Sequence, residues 1–137
     1  MAVILIDKSA EVRWHEPSVA AVLDPLLQVD ALATCAVMDL EILFSARSGS
    51  EHTKLARARS GFTYLETSDA MLRRAKELQS LLAKRGQHRA ASIADLIISA
   101  VAEHHGATVL HYDKDFDLIA KVSRVDARWV VPPGSVS

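Results

Sequence analysis

The stretch Val3-Ile4-Leu5-Ile6-Asp7 decides the fold of this 137-residue chain. Four aliphatic, mostly β-branched residues in a row predict a strand that is buried on both faces, which is typical of a central strand in a parallel sheet. The carboxyl ends of such strands line the crevice where open α/β sheets bind ligands. Val3–Ile6 therefore predicts the middle of the sheet, and Asp7 marks its ligand-binding edge.

Outward from this strand, apolar runs and helical patterns alternate along the chain. Further strands are predicted at 31–34, 63–66, 108–112 and 127–131. Helices are predicted at 9–14, 17–29, 37–46, 51–60, 68–85, 92–105 and 114–122, with Ser9 as the cap of the first and 48–50 as the end of the third. The alternation predicts a single α/β domain over residues 1–137, in which helices cover both faces of a small, mainly parallel sheet.

The composition excludes several classes of protein. A single cysteine, Cys35, allows no internal disulfide and fits a reducing cytoplasm. The N-terminus has no basic region, and its apolar run stops at Asp7, so it resembles neither a signal peptide nor a membrane span. No glycine-rich phosphate loop is present, and the six histidines form no convincing zinc set. We expect a cytoplasmic protein with no membrane partner.

Charge is unevenly distributed along the chain. Residues 54–89 hold nine basic and three acidic side chains, so this segment carries an excess of six positive charges in a protein of net charge −1. Such a segment could attract a polyanion, with the acids concentrated elsewhere. The alternative is a basic helical face that is merely solvated.

Two acids follow predicted strands directly. Asp7 comes after the first strand, and Asp113 comes after the strand at 108–112. Because the carboxyl ends of parallel strands share one edge of the sheet, both carboxylates should point at the same rim. Each also has a structural explanation, since either residue could cap the helix that follows it.

Glu41 and Asp95 are two further acids on predicted helices. Glu41 shares a stripe with Val37, Leu40 and Phe44 on a helix that is apolar nearly all round and should be buried. A carboxylate there needs a metal or a buried arginine, whereas Asp39 on another face fits a solvated acid. Asp95 stands at capping-box spacing from a serine, which is its structural alternative.

The four acids together favour a metal site. Carboxylates that converge on one end of a small sheet repel each other, and a hard divalent cation removes that penalty. Ligation by carboxylate oxygens alone suits Mg²⁺ or Mn²⁺ rather than zinc. Mg²⁺ held by one or two carboxylates and phosphate oxygens is typical of phosphodiester chemistry, in which a metal activates the attacking water.

In order and approximate spacing, these acids resemble the acidic quartet of PIN-domain ribonucleases: Asp7, Glu41, Asp95 and Asp113. The flanking sequences resemble the VapC toxins of bacterial VapBC toxin–antitoxin systems over essentially the whole chain. The similar motifs are Ile6-Asp7-Lys8-Ser9-Ala10, Ala94-Asp95-Leu96-Ile97-Ile98-Ser99-Ala100 and Leu110-His111-Tyr112-Asp113-Lys114-Asp115-Phe116.

The resemblance implies a three-layer α/β/α sandwich and an endoribonuclease that cleaves tRNA or rRNA by metal-activated water, leaving 5′-phosphate and 3′-hydroxyl ends. The quartet would hold Mg²⁺ or Mn²⁺, with Ser9 and Asp115 as auxiliary residues. The implied partners are an RNA substrate, a VapB-like antitoxin whose C-terminal segment covers the active-site groove, and a second copy of the chain.

Some readings stay open from sequence alone. Lys8 stands where the family usually has a small hydroxyl residue, and it could contact a substrate phosphate or face solvent. Trp14 could stack on a base, pack against the antitoxin or pack within the protein. A PIN-domain RNA-processing nuclease without an antitoxin is an alternative function. A receiver-type signalling domain is another, although Glu41 and Asp95 would lie within helices rather than at strand ends.

Overall fold

The computed structural model describes residues 3–137. Residues 1 and 2 lie outside this range, so the predictions that include them, the domain bounds 1–137 and the interpretation of the N-terminus, extend beyond the described residues. The sheet has five parallel strands in the order β3-β2-β1-β4-β5. They are β1 (Ile4–Ile6), β2 (Leu32–Thr34), β3 (Thr63–Tyr64), β4 (Thr108–His111) and β5 (Asp126–Trp129). The prediction of a small parallel sheet with the first strand at its centre is confirmed.

The helices within residues 3–137 are α1 (Lys8–Glu11), α2 (Pro17–Gln28), α3 (Ala36–Phe44), α4 (Gly49–Arg59), α5 (Asp69–Ala83), α6 (Ile93–His105) and α7 (Asp115–Ala120). Successive residues of a strand point to opposite sides of the sheet, so both faces of the sheet are apolar. The helices pack against both of these faces. Leu5 and Val109 pack with residues of α3, α5, α6 and α7, whereas Ile6 and Leu110 pack with α1 and α2. The three-layer α/β/α prediction is therefore confirmed.

Two predicted helix boundaries are wrong for the same reason. The cap of α1 is Asp7, whose carboxylate accepts the Ser9 N–H, and the helix ends at Glu11 rather than Trp14. Ser48 begins α4 instead of ending α3, because its hydroxyl accepts the Glu51 N–H at 3.1 Å. Polar residues beside a helix end can cap either neighbour, and only the backbone path decides which.

The expectation that α3 is buried all round is also wrong. Met38 and Ile42 are buried, but Leu40 is 68% exposed and Phe44 is 88% exposed. The helix therefore presents an apolar surface to solvent. No helix within residues 3–137 combines the length and apolar character that crossing a bilayer requires.

A candidate metal-binding active site

The carboxyl ends of β1 and β4 meet at one edge of the sheet, as the parallel register requires. Ile6 pairs with Leu110, and the Asp7 N–H donates to the Leu110 carbonyl at 2.9 Å. A cavity of about 300 Å³ opens at this edge. Its lining includes all six residues predicted for the site, and the complete set is Asp7, Lys8, Ser9, Val12, Glu41, Ser92, Asp95, Asp113 and Asp115.

Asp7 is the most constrained acid of the cavity. It is buried, and its Oδ2 accepts hydrogen bonds from the Ser9 N–H at 3.0 Å and the Ser9 hydroxyl at 2.5 Å. Its Oδ1 is also buried, yet has no hydrogen-bond partner within residues 3–137. A buried polar atom without a partner costs about 1–3 kcal/mol, and more when it is charged. The helix cap thus occupies one oxygen and leaves the other as a potential ligand.

Ser9 ties the first motif to the last one. Its hydroxyl donates to Asp7 and accepts the Tyr112 N–H at 2.9 Å. One side chain therefore fixes the carboxylate after β1 relative to the backbone that follows β4. An auxiliary role for Ser9 stays a prediction, and this geometry supports it.

Asp95 lies in the first turn of α6, where capping and charge repulsion act together. Its N–H donates to the Ser92 hydroxyl at 3.0 Å, so the predicted cap exists. Burial raises the pKa of the Asp95 carboxyl to about 7, with further contributions from Asp7, Asp113 and Glu41 and an opposing hydrogen bond from Ser92. The carboxyl group is thus held where ionisation is costly.

Asp113 and Asp115 complete a tight group with Asp95, in which one carboxylate oxygen from each residue lies within 4.8 Å of the others. Asp113 also accepts the Asp115 N–H at 2.9 Å, just before α7 begins. Burial, followed by repulsion from Asp113, raises the pKa of Asp115. The structure thus places Asp115 beside two of the predicted ligands, and its auxiliary role stays a prediction.

Glu41 reaches the cavity from α3. Burial raises the pKa of its carboxyl group, repulsion from Asp7 adds to this, and Lys8 opposes it. The alternative of a buried salt bridge to an arginine is wrong, because no ion pair within residues 3–137 includes Glu41. The structure therefore gathers the predicted acids in one cavity, and their roles in catalysis and metal binding stay predictions.

The sequence model of the PIN domain matches residues 4–122. This chain belongs to the PIN-domain family. It is 47% identical over 132 residues to ribonuclease VapC21 of Mycobacterium tuberculosis, and 42% identical over 132 residues to ribonuclease VapC51 of that organism. Each alignment covers 96% of both chains. The predicted resemblance to the VapC branch is confirmed, and the receiver-type alternative is ruled out.

Solved structures show the same PIN fold at much lower identity. The DNA-bound VapBC of Salmonella typhimurium matches with a TM-score of 0.76 at 12% identity, over 96% of this chain and all of that one. VapBC-5 of Mycobacterium tuberculosis matches with a TM-score of 0.69 at 22% identity, over 94% of this chain and 99% of that one. These similarities establish the fold.

Sequence reasoning missed a second charged cluster of this PIN domain. Asp39 is not a solvated acid, since its Oδ1 accepts hydrogen bonds from Arg59 Nε at 2.7 Å and the Thr34 hydroxyl at 2.6 Å. Arg59, assigned to the basic segment, is 5% exposed. The only hint in the sequence is the aromatic residue three positions later, Phe62, whose ring centroid lies 5.4 Å from the guanidinium carbon.

Two aromatic residues near the PIN-domain site have structural roles. The indole N–H of Trp14 donates to Asp24 at 2.7 Å, and the side chain packs against the α1–α2 side of the sheet, in agreement with the packing alternative. His111 is fully buried in β4, where its Nδ1 accepts the Asp113 N–H at 3.2 Å. Burial lowers the pKa of His111, which favours the neutral ring that accepts this hydrogen bond and supports the Asp113 backbone.

Proposed function

We propose that this chain, as a single PIN domain over residues 1–137, is a divalent-metal-dependent endoribonuclease and the toxin of a toxin–antitoxin pair. The observation that carries the proposal is the buried Oδ1 of Asp7, which has no hydrogen-bond partner in the described part of the chain and lies in a cavity whose lining includes four other acids. Carboxylate oxygens are the ligands that Mg²⁺ and Mn²⁺ prefer, and a cation there would offset both the burial and the repulsion that raise the pKa of Asp95.

The acids divide into direct and supporting groups in this proposal. Asp7, Glu41, Asp95 and Asp113 would hold Mg²⁺ or Mn²⁺, and Asp115 would assist beside Asp95 and Asp113. The bound cation would supply an activated water and charge neutralisation at the phosphodiester. Ser9 holds Asp7 in one orientation by occupying its Oδ2. Lys8, which lines the cavity, would bind a non-bridging phosphate oxygen of the substrate.

The substrate proposed is structured RNA, either tRNA or rRNA. Three cations near α6 are exposed and belong to no ion pair within residues 3–137: Lys84, Arg85 and Arg89. Arg89 precedes the cavity-lining Ser92 by three residues, so their Cα atoms lie within about 11 Å of each other. A phosphate next to the cleaved bond would therefore find Arg89 close to the site, while Lys84 and Arg85 would add to the attraction for the RNA backbone.

The exposed apolar surface beside the cavity supports a protein partner. Val12 lines the acidic cavity, while Leu40 and Phe44 line an adjoining hollow together with Lys8 and Glu41. Exposed apolar patches next to a functional site are typical of interaction surfaces. A VapB-like antitoxin segment seated there would cover the acids. This favours the toxin over an RNA-processing nuclease without an antitoxin, and a small antitoxin gene next to this one would support the same choice.

A second apolar groove would serve a homodimer. It lies between α5 and α6, and its lining includes Leu72, Ile93 and Ile97, of which Ile93 is 72% exposed. Burial of this groove against a second copy would remove that apolar area from water. Sedimentation of the purified chain should then show a dimer, and Ile93→Asp should convert it to a monomer.

The test of the enzymatic proposal is cleavage of total RNA by the purified chain with Mn²⁺ and with EDTA. We expect cleavage products with 5′-phosphate ends only with Mn²⁺, and sequencing these ends after expression in cells identifies the target. Asp69→Asn is the matched control, because Asp69 is an acid in the first turn of another serine-capped helix, away from the cavity. Cleavage that is unaffected by EDTA, or a protein that binds no Mn²⁺, would overturn the proposal.

A further inference from the structure

A charged cluster around the buried Arg59 lies beside the acidic cavity, and the proposed chemistry makes no use of it. We call it the Arg59 cluster, and it consists of Glu11, Thr34, Asp39 and Arg59. Arg59 Nη1 donates to both carboxylate oxygens of Glu11 at 2.9 and 3.0 Å, Nε donates to Asp39 at 2.7 Å, and Nη2 donates to the Thr34 hydroxyl at 3.0 Å. A single guanidinium therefore uses all three of its nitrogens.

The partners of Arg59 lie on the elements that carry two of the cavity acids. Glu11 is in the last turn of α1, whose N-cap is Asp7. Asp39 is two residues before Glu41 on α3. Arg59 itself lies in the last turn of α4, and Thr34 ends β2. The guanidinium thus fastens the Asp7-bearing and Glu41-bearing helices to each other.

These two helices need such a fastening. Asp7 and Glu41 line the same cavity, where like charges repel each other. The helix α3 is short and buries only Met38 and Ile42, while Leu40 and Phe44 face solvent. Because so few side chains of α3 are buried, apolar packing fixes its position only weakly. The ion pair between Arg59 and Asp39, which has a fixed geometry, therefore contributes strongly to the position of α3.

We infer that Arg59 is a positioning residue that sets the separation of Asp7 and Glu41 across the metal-binding cavity, an inference that rests on the proposed function. It touches neither of these acids and acts through Glu11 and Asp39. The role requires arginine, because the planar guanidinium presents donors in several fixed directions at once. A lysine ammonium keeps the charge but cannot reach a bidentate carboxylate, a second carboxylate and a hydroxyl in this arrangement.

The experiment compares the wild type with two variants of the cluster in the full-length chain. Arg59→Lys keeps the net charge, so an effect on metal binding cannot come from charge alone. The triple variant E11Q/D39N/R59M removes all charges of the cluster together, which protects folding because no single buried charge is left unpaired. Arg74→Met is the matched control, since Arg74 binds both oxygens of the buried Glu103 at 2.8 and 3.1 Å between α5 and α6.

Three quantities are measured for each protein: the Mn²⁺ dissociation constant by calorimetry and electron paramagnetic resonance, kcat and KM for RNA cleavage, and Tm. Changes in residues that orient ligands typically cost about 10–100-fold in metal affinity or activity. We expect a loss of that size in Mn²⁺ affinity and kcat for Arg59→Lys and for the triple variant, with KM nearly unchanged. Arg74→Met should lower Tm and leave the Mn²⁺ affinity at the wild-type value.

The outcomes separate the inference from the function on which it rests. If Arg59→Lys and the triple variant bind Mn²⁺ like the wild type, and lose only Tm as Arg74→Met does, then Arg59 merely supports the fold and the inference is overturned. A wild-type protein that binds no Mn²⁺ would overturn the proposed function, and the inference with it. If the triple variant does not fold, Arg59→Lys decides alone, since it keeps the charge and most of the side-chain volume.

Discussion

The helices α1 and α3 each carry one acid into the open cavity and one into the Arg59 cluster, and the two destinations differ in one respect. In the cluster, Glu11 and Asp39 share a buried arginine at 2.7–3.0 Å. In the cavity, one oxygen of Asp7 finds no partner among residues 3–137, and Glu41 and Asp95 have raised pKa values. The comparison teaches that these helices satisfy one set of acids internally and leave the other set available to the cation proposed above.

The difference between the paired acids of the cluster and the acids of the cavity is clearest at Asp95, whose pKa is raised to about 7. Asp95→Asn should remove a proposed ligand and lower RNA cleavage by more than about 100-fold, the upper range for losing a residue that only supports a ligand. The measurement is the Mn²⁺-dependent appearance of 5′-phosphate ends. Asp69→Asn should retain full cleavage, and equal losses in the two variants would show that the cavity acids have no special status.

The same residue makes the metal-free protein sensitive to pH. The pKa of Asp95 is about 7 in the folded chain against 3.8 for the free side chain. The folded state therefore binds more protons than the unfolded state between these values, and the free energy of unfolding falls as pH rises from about 4 to about 7. The shift corresponds to a loss of up to about 4 kcal/mol.

Urea unfolding of metal-free wild type and Asp95→Asn across this pH range measures the effect. The variant has no carboxyl group to ionise, so its advantage over the wild type should grow with pH and level off above about 7. Mn²⁺ should stabilise the wild type, because a ligand that binds only the folded chain raises the free energy of unfolding. It should not stabilise the variant, which lacks the proposed ligand Asp95. If the variant exceeds the wild type in free energy of unfolding by the same amount at every pH, ionisation of Asp95 is not what destabilises the metal-free protein.

A smaller effect on stability is expected at Ser9, which links Asp7 to the backbone after β4. Ser9→Ala removes the acceptor of the Tyr112 N–H and the donor to Asp7 Oδ2. The loss should lower the free energy of unfolding by about 1–3 kcal/mol, the usual cost of an unsatisfied buried group. Ser9→Thr restores the hydroxyl and should recover most of this stability. Unfolding curves that match for alanine and wild type would contradict the proposed link between β1 and β4.

The smallest effect on stability is expected at the exposed end of α3, where Phe44 lines the hollow beside Glu41. Phe44→Ser replaces a side chain that is 88% exposed, so the free energy of unfolding should change by no more than about 0.5 kcal/mol. Cleavage should be retained, while binding of the antitoxin weakens. Titration of each purified variant with the antitoxin measures the change in binding affinity. Ile93→Ser is the control, because Ile93 lies in the groove between α5 and α6. Unchanged antitoxin affinity would remove Phe44 from the interface.

The sequence predicts the sheet and the gathering of the acids because both follow from local rules. An unbroken aliphatic run marks β1, and the parallel arrangement brings the residues after β1 and β4 to one edge. The spacing from Ser92 predicts the helix-capping position of Asp95, while the resemblance to PIN domains predicts its place in the site. These signals lie within a few residues of each side chain that they place.

The Arg59 cluster escapes prediction because it joins residues from four separate elements. Arg59 looks like a surface cation in a basic helix, and Asp39 looks like a surface acid, until the chain brings them within hydrogen-bonding distance. The exposure of Phe44 is missed for a similar reason. An apolar helix predicts burial, and only the packing of neighbouring helices shows which of its faces has no cover.

The strand order also has a consequence for synthesis of the chain. The partner of β1 on its β4 side begins at Thr108, roughly 100 residues after Ile4. At about 5–20 residues per second, a ribosome needs roughly 5–20 s to make that stretch. Asp113 and Asp115 emerge later still, so a nascent chain that ends before them carries an incomplete set of acids. The metal site proposed at this edge of the sheet can therefore form only after β4 and the two acids that follow it have been made.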